Sequence, residues 1–510
     1  MQPASAGTES AFHLLDASIR SIRAAFRSKQ ISCRELAQLY LARIAAYDQQ
    51  GPRLNGVIMV NPAALQEADR VDAALRAGES AQPLLGIPVL VKDQFETRDM
   101  PTTFGSALFK DFVPGRDAAV VEKLKAAGAL ILAKNTMSEY AQPGYYGSAF
   151  GFCRNPYDLA RSPGGSSCGT GASVAACFGV VGIGEDTGGS IRNPASSNAL
   201  VGLRPTLGLA SRFGMLPGSP TRDTLGPMTR SVADAAILLD VIAGYDPRDP
   251  ATAFSVGHVP QAYSNFLTPD SLRGKRLGVV RSPLGTGIDP EAKDYQLIKG
   301  KLDAALAEMA TAGAEILDPA PLDGIVDLLH RVSGGGEAEE AVDSYLADHP
   351  NAPVKSLREI VLSPEGLVHP GQRASLAAGL GHATTDLAHL QNQAVRAELR
   401  QEVLRLMADH RLDALVYATM DHYQPLIPDD IMSHREPASR SGSNSALSPA
   451  IGFPALTVPA GVTEDGFPVG LSFLGRPFSE GLLLSLGYGY EQTGRHRGPP
   501  ASTPALPGEP

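Results

Sequence analysis

Helical and extended patterns of apolar residues alternate along this 510-residue chain. The segment Ser32–Glu35 has the sequence of a capping box, and it is followed by apolar residues with the spacing of one helix face, Leu36, Leu39, Tyr40 and Ile44. Short apolar runs elsewhere indicate strands, and segments with helical spacing separate them. We predict strands at 55–60, 86–91, 129–133, 276–280, 413–417, 455–458 and 469–473, and helices at 62–76, 118–127, 290–312 and from residue 479.

This alternation predicts an α/β protein with a central mixed, mostly parallel twisted sheet that is covered by helices on both faces. Apolar residues make up 43% of the chain, which is enough for a large core, and length alone suggests two to four domains. From about 332 to 400 strand signals weaken and helix formers increase, so we expect a helical excursion there. Residues 499–510 are rich in proline and are expected to lie extended over the surface.

The charge pattern argues against nucleic acid as a partner. The net charge is −10 and the pI about 5.6, and lysine and arginine are scattered rather than clustered. Four cysteines make no disulfide framework and contain no CxxC pair, which favours a reducing, cytoplasmic location. Met1–Gly7 lacks the basic and apolar regions of a secretory signal.

One uncharged segment, 162–184, has 23 residues and therefore the length of a membrane span. It contains seven glycines and Pro163, which suit a lipid-facing helix poorly. We predict a buried loop, helix and strand there, and no membrane association.

Two glycine-flanked loops carry the candidate chemistry. Arg161–Gly169 contains Ser166, and Glu185–Arg192 contains Ser190, which lies 24 residues further along the chain. Upstream, Gly86–Asp93 places a lysine at the end of an apolar strand. Acyl transfer needs a hydroxyl nucleophile and backbone N–H donors for the oxyanion, and glycine-rich turns can supply both. A simpler interpretation is a glycine turn in which Ser190 only caps a helix.

These three segments resemble the amidase signature family, whose members hydrolyse amides with a Ser–cis-Ser–Lys triad. The resemblance is strongest from about 86 to 230 and weakens toward both ends. It implies one large α/β domain over 8–498, an exception to the length rule. It also implies that Ser190 is the nucleophile, that Ser166 is a relay after a cis peptide bond, and that Lys92 is the general base and acid.

The resemblance gives further residues a role around this triad. Four successive backbone amides are expected to form the oxyanion hole, those of Thr187, Gly188, Gly189 and Ser190. Other family positions orient the loops, here Ser167, Asp186 and Arg192. Lys92 needs to be an unprotonated amine to act as a base, and burial at a strand end favours that form; the alternative is a lysine that reaches solvent.

The sequence departs from the family pattern at two positions. Cys168 occupies a usual glycine, which bears on the local backbone, and no His/Asn partner signature makes it a rival nucleophile. Gln94 stands where the family often carries asparagine, which bears on the pocket. Candidates for contact with substrate are Gln94, Met137, Ser138, Tyr140, Tyr145 and Phe213, with Tyr146 and Met215 as further options; the aromatic ones are equally consistent with ordinary core.

We therefore expect an amide hydrolase that releases ammonia or an amine from a small, aryl or peptidyl carboxamide, with side activity on esters or carbamates. No cofactor is implied, and no His/Cys/Asp cluster has the spacing of metal ligands. The expected partner is a small-molecule amide, and a homodimer stays open.

Two alternatives remain. One is the glutaminase subunit of a tRNA-dependent amidotransferase, although we find no arginine-rich segment for glutamine between His330 and Arg400. The other is a serine esterase, based on Gly165-x-Ser167-x-Gly169, but the residues before that motif do not have the pattern of a strand.

Overall fold

An eleven-stranded mixed sheet organises the part of the chain that the structure describes, residues 12–79, 81–322, 324–333, 336–436 and 442–510. The structure is a computed structural model. The expected domain start at residue 8 and the Met1–Gly7 segment lie outside the described residues.

The strands of the large sheet, and of a small hairpin, are β1 Val57–Val60, β2 Pro88–Lys92, β3 Leu130–Asn135, β4 Tyr146–Gly147, β5 Gly151–Phe152, β6 Val181–Asp186, β7 Val201–Arg204, β8 Thr224–Thr229, β9 Arg276–Val279, β10 Glu315–Leu317, β11 Ala414–Ala418, β12 Ala455–Val462 and β13 Pro468–Leu474. The order in the large sheet is β1-β3-β2-β6-β8-β7-β12-β13-β11-β9-β10, and β4 pairs with β5.

Helices flank this sheet. They are α1 Ile19–Arg27, α2 Cys33–Tyr47, α3 Ala64–Arg76, α4 Ala119–Ala126, α5 Cys168–Ala175, α6 Arg192–Ser197, α7 Val232–Ile242, α8 Lys293–Thr311, α9 Ile325–Arg331, α10 Ala338–Ala347, α11 Leu357–Val361, α12 Pro370–Ala377, α13 Leu387–Asp409, α14 Leu447–Ile451 and α15 Glu480–Glu491. Within the described ranges no helix is long and apolar enough to cross a membrane.

The predicted elements are present, with ends that differ by at most four residues. The capping box that begins α2 is formed in both directions: the Glu35 amide donates to Ser32 Oγ at 3.2 Å, and the Ser32 amide donates to Glu35 Oε2 at 2.8 Å. The uncharged 162–184 segment is a buried loop, α5 and most of β6, as predicted.

The α/β class and the mixed sheet are confirmed, but parallel pairs are the minority. Of the ten neighbouring strand pairs, six are antiparallel and four are parallel. In the middle of the sheet neighbouring strands run antiparallel. There β7 and β8, which carry weak strand signals, lie between β6 and the β12–β13 hairpin. The parallel pairs β3-β2-β6 lie together on one side of this region, and they position the serines and the lysine.

Two segments outside the sheet complete the fold. Between β10 and β11 the chain forms α9 to α13, and apolar residues there pack on an aromatic cluster in which the rings of Phe104 and Phe109 are 5.1 Å apart. The proline-rich tail packs against α2. The fully buried Arg43 donates to the carbonyls of Thr503 and Pro504 and pairs with Glu509 at 2.9 Å.

Candidate active site

The candidate residues meet where two neighbouring parallel strands end. Lys92 is the last residue of β2, and β2 pairs in parallel with β6, which leads directly into the loop of Ser190. Carboxyl ends of parallel strands open onto the same edge of a sheet, which is the usual place for a ligand site in α/β proteins. Ser166 reaches this edge from the loop that precedes α5.

Lys92 is completely buried. Its Nζ lies 2.8 Å from Ser166 Oγ and 2.9 Å from Glu185 Oε2. The structure therefore places this lysine in contact with a serine and a carboxylate, and the alternative in which it reaches solvent is wrong.

The loop of Ser166 is closely packed against its neighbours. The Gly165–Ser166 peptide bond is cis, and the Ser138 amide donates to the Ser166 carbonyl at 2.9 Å. A Cβ on Gly165 would lie 1.8 Å from the carbonyl oxygen of Gly144, so only glycine fits there. The Ser166 side chain is fully buried, and its hydroxyl lies 2.8 Å from Lys92 Nζ.

Ser167 joins the two serine loops. Its amide donates to the Ser190 carbonyl at 3.3 Å, and its Oγ accepts from the Glu185 amide at 3.3 Å. Cys168, at the usual glycine position, begins α5 with its buried thiol 3.7 Å from the Thr136 carbonyl. The departure from the family pattern is thus accommodated inside the core.

Asp186 organises the loop that carries Ser190. Its carboxylate accepts from both Arg192 and Arg204, and all three side chains are fully buried. Burial alone raises the pKa of Asp186, but the two guanidinium groups and the Gly189 amide outweigh it and hold that pKa well below its ordinary value. The ionised carboxylate therefore fixes the turn from inside.

The expected oxyanion hole needs one correction. The Gly189 amide donates to Asp186 Oδ1 at 2.7 Å, because the turn bends inward there with a φ of 126°. It is therefore not available to a substrate oxygen. The amides of Gly188 and Ser190 have no partner among the described residues, and both residues line the neighbouring cavity. Thr187 borders a different cavity and binds two carboxyl groups through its hydroxyl.

A cavity of about 400 Å³ opens beside Ser190. One wall is the serine loops and the segment 143–146, and the other comes from residues 420–434 and Ser443, which lie between β11 and α14 in the chain. Its wall is largely apolar, with the side chains of Tyr145, Tyr146, Met420, Tyr423, Leu426 and Ile431. Within the described ranges no lysine, arginine, aspartate or glutamate lines it.

Only part of the predicted pocket lies at this cavity. Tyr145 and Tyr146 line it, with their rings edge to face 5.4 Å apart. Tyr140 instead borders the second cavity of about 280 Å³ and donates to Ser106 Oγ. Phe213 lies between the guanidinium groups of Arg116 and Arg248.

Three further pocket candidates are held inside the protein. Gln94 donates to the Leu216 carbonyl at 2.7 Å, Ser138 accepts from Gln372 at 2.9 Å, and Met137 is fully buried. None of them, nor Met215, is among the residues that line the cavity beside Ser190. Their residue types fit core packing as well as ligand contact, so the sequence could not separate the two.

Sequence reasoning missed Glu185, Asp223 and the cavity wall from 420 to 443. The sequence does show Glu185 as a carboxylate near the end of an otherwise apolar strand. Its contact with Lys92 arises because β2 lies beside β6, which the sequence does not show. Within the described residues, no group of three or more His, Cys, Asp or Glu side chains is arranged to hold a metal ion.

Comparison with known proteins agrees over nearly the whole chain. The family model described as Amidase matches residues 35–484. A probable amidase from Arabidopsis thaliana is 33% identical over 517 residues, which cover 96% of this chain and 92% of that protein. A glutamyl-tRNA(Gln) amidotransferase subunit from a Synechococcus strain is 35% identical over 505 residues, covering 96% of this chain and 94% of that protein.

Solved structures give the same result. The native peptide amidase from Stenotrophomonas maltophilia superimposes with a TM-score of 0.80 at 35% identity, and the match covers 95% of this chain and 98% of that one.

Proposed function

Because this chain belongs to the amidase family and is an amide-hydrolysing enzyme, we propose that it cleaves neutral carboxamides with an apolar or aromatic acyl group. The acyl group is transferred to Ser190, and ammonia or an amine is released. The observation that carries this proposal is the buried contact of 2.8 Å between Lys92 Nζ and Ser166 Oγ. Ser166 belongs to the loop that borders the cavity beside Ser190.

The proposed reaction begins with attack of Ser190 Oγ on the amide carbonyl. The Ser190 proton moves to Ser166 Oγ as the Ser166 proton moves to Lys92 Nζ. The oxyanion forms beside the unpartnered amides of Gly188 and Ser190. The protons then return along the same path to the departing nitrogen, and the C–N bond breaks to leave the acyl-enzyme.

Water completes the cycle by the same route. It loses a proton through Ser166 to Lys92 as its oxygen attacks the acyl-enzyme, and that proton returns to Ser190 Oγ when the acid leaves. An ester gives the same acyl-enzyme, so esterase side activity is part of this proposal.

The cavity wall supports a neutral substrate. A charged group that loses water without finding a partner is strongly disfavoured, and the described lining holds no fixed charge. Short peptides with a C-terminal amide, and aryl amides, match the tyrosines and aliphatic side chains of the wall. The likeness to a peptide amidase supports the first of these classes.

Glutamine hydrolysis is the second candidate, because a glutamyl-tRNA(Gln) amidotransferase component is 35% identical to this chain. Free glutamine carries an ammonium and a carboxylate that both need partners, and the described cavity wall holds no lysine, arginine, aspartate or glutamate to pair with them. We therefore place glutamine below the neutral amides. The four cysteines are buried and free, which supports our proposal that the enzyme works in a reducing, cytoplasmic environment.

A substrate panel with two serine variants tests the proposal. Ammonia release is measured from an N-blocked dipeptide amide, an aryl carboxamide and free L-glutamine, and a fluorophosphonate probe labels the activated serine. Ser264→Ala is the control variant, at a serine whose side chain is hydrogen-bonded to Asp240. Wild type and this control should hydrolyse the first two substrates and become labelled. In Ser190→Ala the activity should fall by roughly 10⁴-fold or more, and labelling should be absent. Activity or label retained by Ser190→Ala contradicts the mechanism. A preference of the wild-type enzyme for glutamine contradicts the proposed substrate class.

A further inference from the structure

Lys92 has a second partner besides Ser166. Glu185, on the neighbouring strand β6, places Oε2 2.9 Å from Lys92 Nζ, and both side chains have no solvent exposure. A lysine has four rotatable side-chain bonds, so two contacts on the same nitrogen hold it in one position. A carboxylate can only accept, so Nζ donates to Glu185 Oε2.

The other oxygen of Glu185 belongs to a longer chain of contacts. Thr187 Oγ1 lies 2.6 Å from Glu185 Oε1 and 2.7 Å from Asp223 Oδ1. A hydroxyl has one proton, so Thr187 can donate to only one of these two oxygens at a time.

Asp223 is the other carboxyl group in this chain of contacts. Burial, and then the negative charge of Glu185, raise the pKa of Asp223 to about 6. Its other oxygen accepts from the amides of Gly218 and Ser219, both at 2.8 Å. Thr187 therefore occupies Glu185 Oε1, and Glu185 Oε2 is left to accept from Lys92 Nζ.

Three other ionisable groups lie near Lys92 and Glu185, and none of them replaces Glu185 as the partner of Lys92. Arg204 on β7 interacts favourably with Glu185 through its positive charge, and Cys168 at the start of α5 faces Lys92. Asp186, next along β6, is already paired with Arg192 and Arg204. Among the described residues, Glu185 is therefore the carboxylate that contacts Lys92.

We propose that Glu185 is a positioning residue of the reaction, which holds Lys92 against Ser166 and stabilises the ammonium that forms on Lys92 as Ser190 attacks. This inference rests on the function proposed above. The proposed reaction starts from the form of the enzyme in which Lys92 can accept a proton, with the Glu185 carboxylate 2.9 Å from Nζ. When the Ser190 proton has passed through Ser166, Lys92 carries three protons and forms an ion pair with Glu185, and it returns one proton to the leaving nitrogen.

The proposal predicts a particular change in the pH profile of kcat/KM, which reports ionisations of the free enzyme. A negative charge 2.9 Å from Nζ stabilises a proton on that nitrogen in the free enzyme as well as after attack. Glu185→Gln removes the charge and keeps the shape. We expect its acid limb to move to lower pH by about 1–3 units, and its plateau for an amide to fall by roughly 10–10³-fold because the new ammonium is no longer stabilised.

Two variants serve as controls. Glu185→Asp keeps the charge on a shorter side chain, so its acid limb should stay close to that of wild type while its plateau falls. Glu509→Gln removes another buried carboxylate that is paired with a cation, Arg43, and its midpoint should match wild type.

The outcomes separate this inference from the proposed function. A Glu185→Gln profile with the wild-type midpoint, or one that moves to higher pH, overturns the role of Glu185. If Glu185→Gln does not fold, Glu185→Asp provides the test. This variant retains the charge, so a midpoint below that of wild type overturns the role of Glu185. Activity retained in Ser190→Ala overturns the proposed function itself, whatever Glu185 does.

Discussion

Replacement of Asp186 by asparagine should destabilise the protein strongly, because this carboxylate is the shared partner of two buried cations. It accepts five hydrogen bonds, two from Arg192 and one each from Arg204, Gly189 and Ile191. Removal of one partner from a buried ion pair typically costs about 3–5 kcal/mol, since the other charge stays buried without compensation. Asparagine keeps one acceptor oxygen but turns an amide N–H₂ toward the guanidinium groups, so we expect a loss of about 3–5 kcal/mol.

The loss is measured as the change in the free energy of unfolding in urea, followed by far-UV circular dichroism because the chain has no tryptophan. Asp69→Asn is the matched control. Asp69 pairs with Arg34 at the surface, where both side chains are about half exposed, and such pairs contribute about 0–1 kcal/mol.

The pH dependence has a defined sign. The folded-state pKa of Asp186 is well below its ordinary value, so its stabilisation is complete above the unfolded pKa of about 3.9 and is lost only as the pH falls below it. The difference between wild type and Asp186→Asn should therefore stay constant from pH 6 to pH 8. A loss below about 1 kcal/mol, or one equal to that of Asp69→Asn, would refute the view that Asp186 holds the Ser190 loop from inside.

Three other predictions concern catalysis, metals and stability. Lys92→Ala should depress amide hydrolysis more than hydrolysis of a matched nitrophenyl ester, because an amine leaves poorly without a returned proton; each acid or base role is worth roughly 10²–10⁴-fold, and equal losses would restrict Lys92 to the role of base. Extended dialysis against a chelator should leave amidase activity unchanged, and a loss restored by zinc or manganese would contradict a purely serine-based mechanism. Asp234→Asn should stabilise the protein by roughly 1–3 kcal/mol above pH 7 and by little near pH 4. Burial raises the pKa of Asp234 to about 6, so the ionised carboxylate opposes folding as the pH rises. Asparagine has no charge and keeps an acceptor for the Ile19 amide. Equal stabilisation at both pH values would contradict the prediction for Asp234.

The sequence was sufficient where structure follows from local pattern. Apolar spacing located the main strands and helices, and the serine loops and Lys92 stand in motifs that are contiguous in the chain. The contact between Lys92 and Ser166 was expected from the resemblance, and the structure brings the two groups to 2.8 Å.

Features that depend on distant segments were not predictable in this way. The partnership of Glu185 with Lys92 requires that β6 lies beside β2, and the antiparallel middle of the sheet requires β7 and β8, which are short or interrupted by glycine and proline. The direction of the Gly189 amide depends on the folded position of Asp186. Phe213 was assigned to the pocket by residue type, whereas two arginines from other elements surround its ring.

The division of the cavity into two walls has a consequence for how such an enzyme changes over time. The proposed reacting groups lie between residues 92 and 190, whereas much of the opposite wall comes from the connection of residues 420–434, where the structure has one short 3-10 helix, Ile431–Ser433, and otherwise irregular chain. Irregular connections tolerate replacement better than buried strands. New acyl preferences could therefore be selected in a library restricted to that connection, with the proton-transfer groups left untouched.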